Sequence, residues 1–169
     1  SITTAYQWQV NTGTSVAPVW EDITGATSAS LSIASDQTYV DKQVRVVAET
    51  TDVLGGKTTF TDNAQLVANV DDAATSTLGV TVTGTRVEGT SLVANLTATD
   101  PDGTIISTSY QWQINTAASG QAAVWVNIPS AVVPTAVTAS LALPNDQTYI
   151  GKQVRVVAET TDVLGGHTS

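Results

Sequence analysis

The chain has 169 residues, with six Lys and Arg against fifteen Asp and Glu, one His, and neither Cys nor Met. Without Cys there is no disulfide framework, no thiolate nucleophile and no Cys-based zinc or iron–sulfur centre, and a single His leaves no room for a multi-His metal site. A net charge of −9 and a pI near 4.1 offer no basic patch for phosphates, and no apolar run is long enough to span a bilayer, so neither a nucleic-acid partner nor membrane insertion is expected.

Thr (29), Val (23) and Ala (21) fill 73 of the 169 positions. Val and Thr are β-branched and favour extended backbone, so the composition predicts an all-β protein. Tyr6, Trp8 and Val10 alternate with Gln7 and Gln9, the period of a half-buried strand. That phase turns the rings to a core and the glutamines to water or a neighbour. Ser30–Ile33 reads as a short strand. Val44, Val46 and Ala48 alternate with Arg45, Val47 and Glu49. Asp52-Val53-Leu54-Gly55-Gly56 is a hairpin turn in which the paired glycines permit positive φ. Thr58–Asn69 follows, with Phe60 and Leu66 as apolar anchors, and 70–77 reads as a linker. Leu78–Gly84 and the alternating Leu92–Ala98 are further strands. Asp100-Pro101-Asp102-Gly103 is a turn, with Pro setting φ and Gly taking the left-handed conformation. Ser140–Leu143 is another short strand. No helical stripe of useful length occurs.

The chain repeats itself. Tyr6-Gln7-Trp8-Gln9-Val10-Asn11-Thr12 returns as Tyr110-Gln111-Trp112-Gln113-Ile114-Asn115-Thr116, 104 residues on. Gln37–Thr58 returns as Gln147–Thr168, 110 residues on, with differences only at Val40/Ile150, Asp41/Gly151 and Lys57/His167. The extra residues of the second copy fall mainly in 126–146, which is expected to be a variable surface loop. About seven short strands in about 100 residues predict tandem antiparallel β-sandwiches of the immunoglobulin type. The window is cut out of phase with the repeat. Residues 1–69 form a sandwich lacking its first strands, and 78–169 one lacking its last strand. The repeat is expected to continue beyond both ends.

Tyr-Gln-Trp-Gln, then Trp20–Thr27, then Lys42-Gln43-Val44-Arg45-Val46, then Asp and Gly-Gly, form a recognisable order. Gly84-Thr85, Glu88-Gly89-Thr90, Leu92-Val93-Ala94 and the Asp100–Gly103 turn extend it. This order resembles the bacterial immunoglobulin-like tandem repeats of very large surface and secreted adhesins, including the RTX type. The resemblance implies an extender that holds a binding domain away from the cell, often stiffened by calcium. It also implies an extracellular, cell-surface setting and a role in adhesion. The Gly-rich calcium nonapeptides of an RTX secretion region are missing from this sequence.

Calcium takes six to eight oxygens from carboxylates and carbonyls. Asp71, Asp72, Glu88, Asp100, Asp102 and Asp162 are the candidate ligands. Asp71-Asp72 lies between the copies, where an ion would stiffen a junction. Asp52 and Asp162 precede equivalent Leu-Gly-Gly turns, and stabilising the turn is their simplest role. The glutamines beside Trp8 and Trp112 suggest a carbohydrate face, against which stands the core phase of both Trp. Arg45/Glu49 and Arg155/Glu159 are expected to pair with neighbouring charges, and His167 is expected at a surface turn. The expected function is a non-enzymatic spacer whose partners are neighbouring repeats or neighbouring chains. One alternative is a self-assembling subunit of a surface layer, sheath or filament that exchanges strands between chains. Another is a carbohydrate- or protein-binding module.

Overall fold

A computed structural model describes all residues, 1–169, and the chain is all-β. It divides into two compact units, Ser1–Val70 and Asp71–Ser169.

The first unit is one antiparallel sheet. Its strands are β1 (Thr3–Asn11), β2 (Trp20–Asp22), β3 (Gln43–Thr51), β4 (Lys57–Thr61) and β5 (Gln65–Leu66). Their order is β2-β1-β3-β4, with β5 also on β3. Tyr6, Trp8 and Val10 stand opposite Ala48, Val46 and Val44, so the apolar phases of β1 and β3 share one face. No second sheet covers that face, and Tyr6, Trp8 and Val10 are only half-buried.

The second unit has two sheets. Strands β8 (Ile105–Asn115), β9 (Trp125–Asn127), β11 (Val154–Asp162) and β12 (His167–Thr168) lie in the order β12-β11-β8-β9. Strands β6 (Thr81–Thr83), β7 (Ser91–Asn95) and β10 (Ser140–Ala142) lie in the order β10-β7-β6. Leu92 and Ala94 of β7 and Leu141 of β10 share a core with Trp112 of β8 and Val156 of β11, the layering of a β-sandwich. Trp112 is 0 % exposed, and its indole N–H donates to the Thr138 carbonyl at 2.9 Å. Burying Leu92, Ile128 and Leu141 contributes about 1.5–3 kcal/mol each.

Several expectations need correction. Ser30–Ile33 forms no strand, whereas its counterpart 140–142 does. The second copy supplies β7 as a ladder partner for β10, and nothing in the first unit plays that part. The 126–146 segment is largely exposed, as a surface loop is, but it also sends side chains into the core. Ile128, Val133, Ala136, Leu141 and Leu143 are all core residues, and Pro134–Val137 turn once in a 3-10 helix. Pro134 presets the first turn, and the short apolar run is better buried against Trp112 than exposed. The segment expected as a linker belongs to the second unit from Asp71 onward. Thr75 pairs with Thr99, and the Ala74 N–H donates to Thr168 Oγ1 at 3.0 Å. That pairing also ends β7 early, because beyond Asn95 the chain bonds to residues 75 and 76 instead.

Of the two settings expected for Gln7 and Gln111, water or a neighbour, the structure shows the neighbour. Gln7 Nε2 donates to the carbonyls of Trp8 and Ile23, and Gln111 Nε2 to those of Trp112 and Ile128. Each amide ties its strand to the chain that follows β2 or β9, and so satisfies backbone acceptors that would otherwise be stranded.

Candidate metal centre

The site is built by two turns and the first residue of the second unit. In the Asp162-Val163-Leu164-Gly165-Gly166 turn, Asp162 Oδ1 accepts the N–H of Leu164 at 2.7 Å and of Gly166 at 3.1 Å. This is the Asx arrangement that short Asp side chains adopt at turns. Gly165 has φ +89°, where a side chain is strained. Gly166 is needed for a different reason. A Cβ there would collide with Asp71 Oδ1 and Asp162 Oδ2. Both glycines permit positive φ, and the first member of each pair, Gly55 and Gly165, takes it.

The second turn is Asp100–Gly103. Asp100 Oδ1 accepts the Asp102 N–H at 2.8 Å, and Gly103 takes φ +123°. The Asp102 carboxylate accepts the Asp72 N–H at 2.5 Å, which holds the 71–72 segment against this turn.

Carboxylate oxygens of Asp71, Asp102 and Asp162 consequently lie within 4.8 Å of one another. Oxygens that share a calcium ion sit about 2.3–2.6 Å from it, so this spacing suits ligands on a common ion. Asp162 is 4 % exposed. Asp71 is exposed, yet partial loss of solvent around its carboxyl, a hydrogen bond to Asp162 and the charges of Asp162, Asp102 and Asp100 push it above the usual carboxylate range. Burial alone would also raise Asp162. The N–H groups of Gly166, Leu164 and Gly165 and the hydrogen bond from Asp71 outweigh it and hold Asp162 low. Asp100 Oδ2 is buried without a hydrogen-bond partner. The converging carboxylates of Asp71, Asp102 and Asp162 have the chemistry of a hard divalent cation site.

Of the six candidate ligands, Asp71, Asp102 and Asp162 are brought together, and Asp100 acts on Asp71 through its charge. Asp72 contributes its backbone N–H to the arrangement. Glu88 falls outside it, lining a cavity in the same unit and accepting from Gln147 Nε2 at 3.4 Å.

No protein-family model matches the chain, and neither a curated protein nor a solved structure matches it.

The first unit repeats the turn without the cluster. Asp52 Oδ1 accepts the N–H of Leu54 at 2.8 Å and of Gly56 at 2.9 Å, but Asp52 is exposed. The other two tryptophans, Trp20 and Trp125, each carry an arginine. The Arg45 guanidinium lies 4.0 Å from the Trp20 ring centroid and Arg155 lies 4.5 Å from that of Trp125. Each Arg Nε also donates to a glutamine, Gln9 at 2.9 Å and Gln113 at 2.7 Å. A cation therefore already covers one face of each of these two indoles. Glu49 pairs with Lys57 at 2.5 Å. His167, expected at a turn, lies in β12 with Nδ1 3.3 Å from Glu159, the same relationship in the second copy.

Proposed function

We propose that this chain is a non-enzymatic structural module of an extracellular bacterial repeat protein. In this reading the units are immunoglobulin-like extenders, and calcium held by Asp71, Asp102 and Asp162 stiffens the second. The observation that carries the reading is the position of the acidic triad. Asp71 is the residue at which the second unit begins, and Asp102 and Asp162 belong to two separate turns. One ion on these three ligands ties the start of the unit to both turns and resists peeling of that segment. The near-identical duplication supports a mechanical role, since a spacer lengthens by repeating a bead. Neighbouring repeats would be its partners, and the negative charge would keep the beads soluble and mutually repelling.

Thermal unfolding in calcium and in chelator tests this. Calcium is expected to raise the midpoint of the second unit, and Asp102→Asn is expected to abolish the rise. Equal midpoints in calcium and chelator would rule out the ion and leave the stiffening without a cause.

A further inference from the structure

The second copy is uncharged over a long stretch that includes an edge strand. From Gly103 to Asn145 it has no Asp, Glu, Lys, Arg or His, although the whole chain carries a net charge of −9. Over the matching residues 1–35 the first copy has only Glu21 and Asp22, and both lie in β2. Their counterparts in β9 are Val126 and Asn127. Strand β9 is outermost in its sheet, at the end opposite β12, and β10, reached through the Pro134–Val137 turn, is outermost in the other sheet. In the first unit the chain that runs on to Leu66 pairs with β3 and leaves β2 outermost in the same way. Along β9 the Val124 carbonyl and the Ile128 N–H bond to β8. By alternation the main-chain groups of Trp125 and Asn127 point away from the sheet, and no hydrogen bond takes them up. Val124, Val126, Val132 and Val137 are all exposed on this stretch, Val126 at 46 %.

We infer that β9 pairs with β9 of a second molecule of this chain, antiparallel about a two-fold axis through Val126. Sheet proteins protect open edges with charge. Glu21 and Asp22 give β2 that protection, because the same pairing there would set Glu21 against the partner's Glu21. At β9 those positions are apolar and neutral. The register follows from the free groups. Trp125 of each molecule exchanges both main-chain hydrogen bonds with Asn127 of the other. The two Val126 side chains meet between these pairs, on the face that Val126 shares with its core-packed neighbour Ile114. Pro129 has no N–H, so the ladder ends after Asn127. Such a contact is self-complementary, as a closed dimer requires. The uncharged stretch lets two chains of net −9 meet without carboxylates at the seam. The inference rests neither on calcium nor on the spacer reading, and its test is run in chelator.

Sedimentation of the full chain over a concentration series is expected to show a monomer–dimer equilibrium. Val126→Glu installs the residue that the first copy has at this position. It is expected to weaken the dimer at least tenfold and to leave the unfolding midpoint of the monomer unchanged. The chain has no Cys, so single cysteines report the register. Oxidised Val126→Cys is expected to give a disulfide-linked dimer, because that residue faces itself across the axis. Asn127→Cys is expected to give none, because its own counterpart lies a diagonal step away. A chain that stays monomeric at every concentration overturns the inference. So does a dimer that Val126→Glu leaves intact, or one that Asn127→Cys cross-links as readily as Val126→Cys.

Discussion

Carboxylate oxygens of Asp71 and Asp162 lie within 4.8 Å of one another, and the two acids are displaced in opposite directions, Asp71 upward and Asp162 downward. Two ionised carboxylates this close repel, so one keeps its proton longer than usual, while backbone N–H groups favour charge on the other.

The pair predicts an inverted pH response. A raised folded-state value means that Asp71 binds its proton more tightly folded than unfolded. Its stabilising effect is full below the ordinary carboxylate value and is lost as pH rises through the raised one. Asp162 has the opposite sign, with stability present above the ordinary value and lost as pH falls through its depressed one. In chelator, acidification from neutral should therefore first raise the unfolding midpoint of the second unit and then lower it. In calcium, which needs Asp71 ionised, the metal-dependent increment should shrink over the window where the chelated protein gains. An increment that stays constant across that window would exclude Asp71 as a ligand.

The two glycines of the 162–166 turn should separate in their effects. Gly165→Ala strains a positive φ and should lower stability by about 1 kcal/mol with the calcium response intact. Gly166→Ala places a methyl group among the Asp71 and Asp162 oxygens and should remove the calcium response. Titration calorimetry with calcium on both variants distinguishes them, and equal calcium affinity would show that Gly166 keeps no space for the ion.

Asp52 and Asp162 should behave alike as turn acids and differently towards metal. Asp52→Ala deletes two hydrogen bonds at an exposed turn and should cost about 1 kcal/mol, equally in calcium and in chelator. Asp162→Ala should be more damaging in calcium than in chelator. Paired denaturant titrations of each variant give the comparison.

Asp41 takes φ +60°, the only residue other than glycine at positive φ, and its counterpart in the second copy is Gly151 at φ +72°. Asp41→Gly should stabilise the first unit by up to about 1 kcal/mol, and Gly151→Ala should destabilise the second by a similar amount. Chemical denaturation would detect both. A destabilised Asp41→Gly variant would mean that the Asp side chain contributes more than its backbone strain removes.

Much of the strand content was legible because alternation is a local signal. Tyr6–Val10 and Val44–Ala48 carry their period and their apolar face in a few residues, and the duplication confines both copies to one register. Ser30–Ile33 carries a strand's sequence but forms none, because a short strand exists only if a partner lies beside it, and the partner of its counterpart belongs to another part of the chain. The core residues of the 126–146 segment are hard to see in the sequence for a related reason. A Pro-containing run looks like a loop until a large neighbour such as Trp112 makes its apolar residues worth burying. At the site, Asp71, Asp100, Asp102 and Asp162 could be named because each sits at a turn or between the copies. Glu88 also sits at a turn, Val87–Thr90, and nothing in the sequence shows that this turn lies away from the other acids. The guanidinium over each indole was missed, although Arg45/Arg155 and Trp20/Trp125 recur in both copies and the recurrence was the available signal.

The matched pairing of β3 with β4 and of β11 with β12 bears on the gene as well as on the protein. The 22 near-identical residues, Gln37–Thr58 and Gln147–Thr168, encode a strand, its turn and the start of the returning strand. Recombination between copies anywhere inside that stretch joins half-strands whose register already agrees. A chain with one copy more or fewer, joined inside that stretch, would therefore keep an unbroken ladder at the seam.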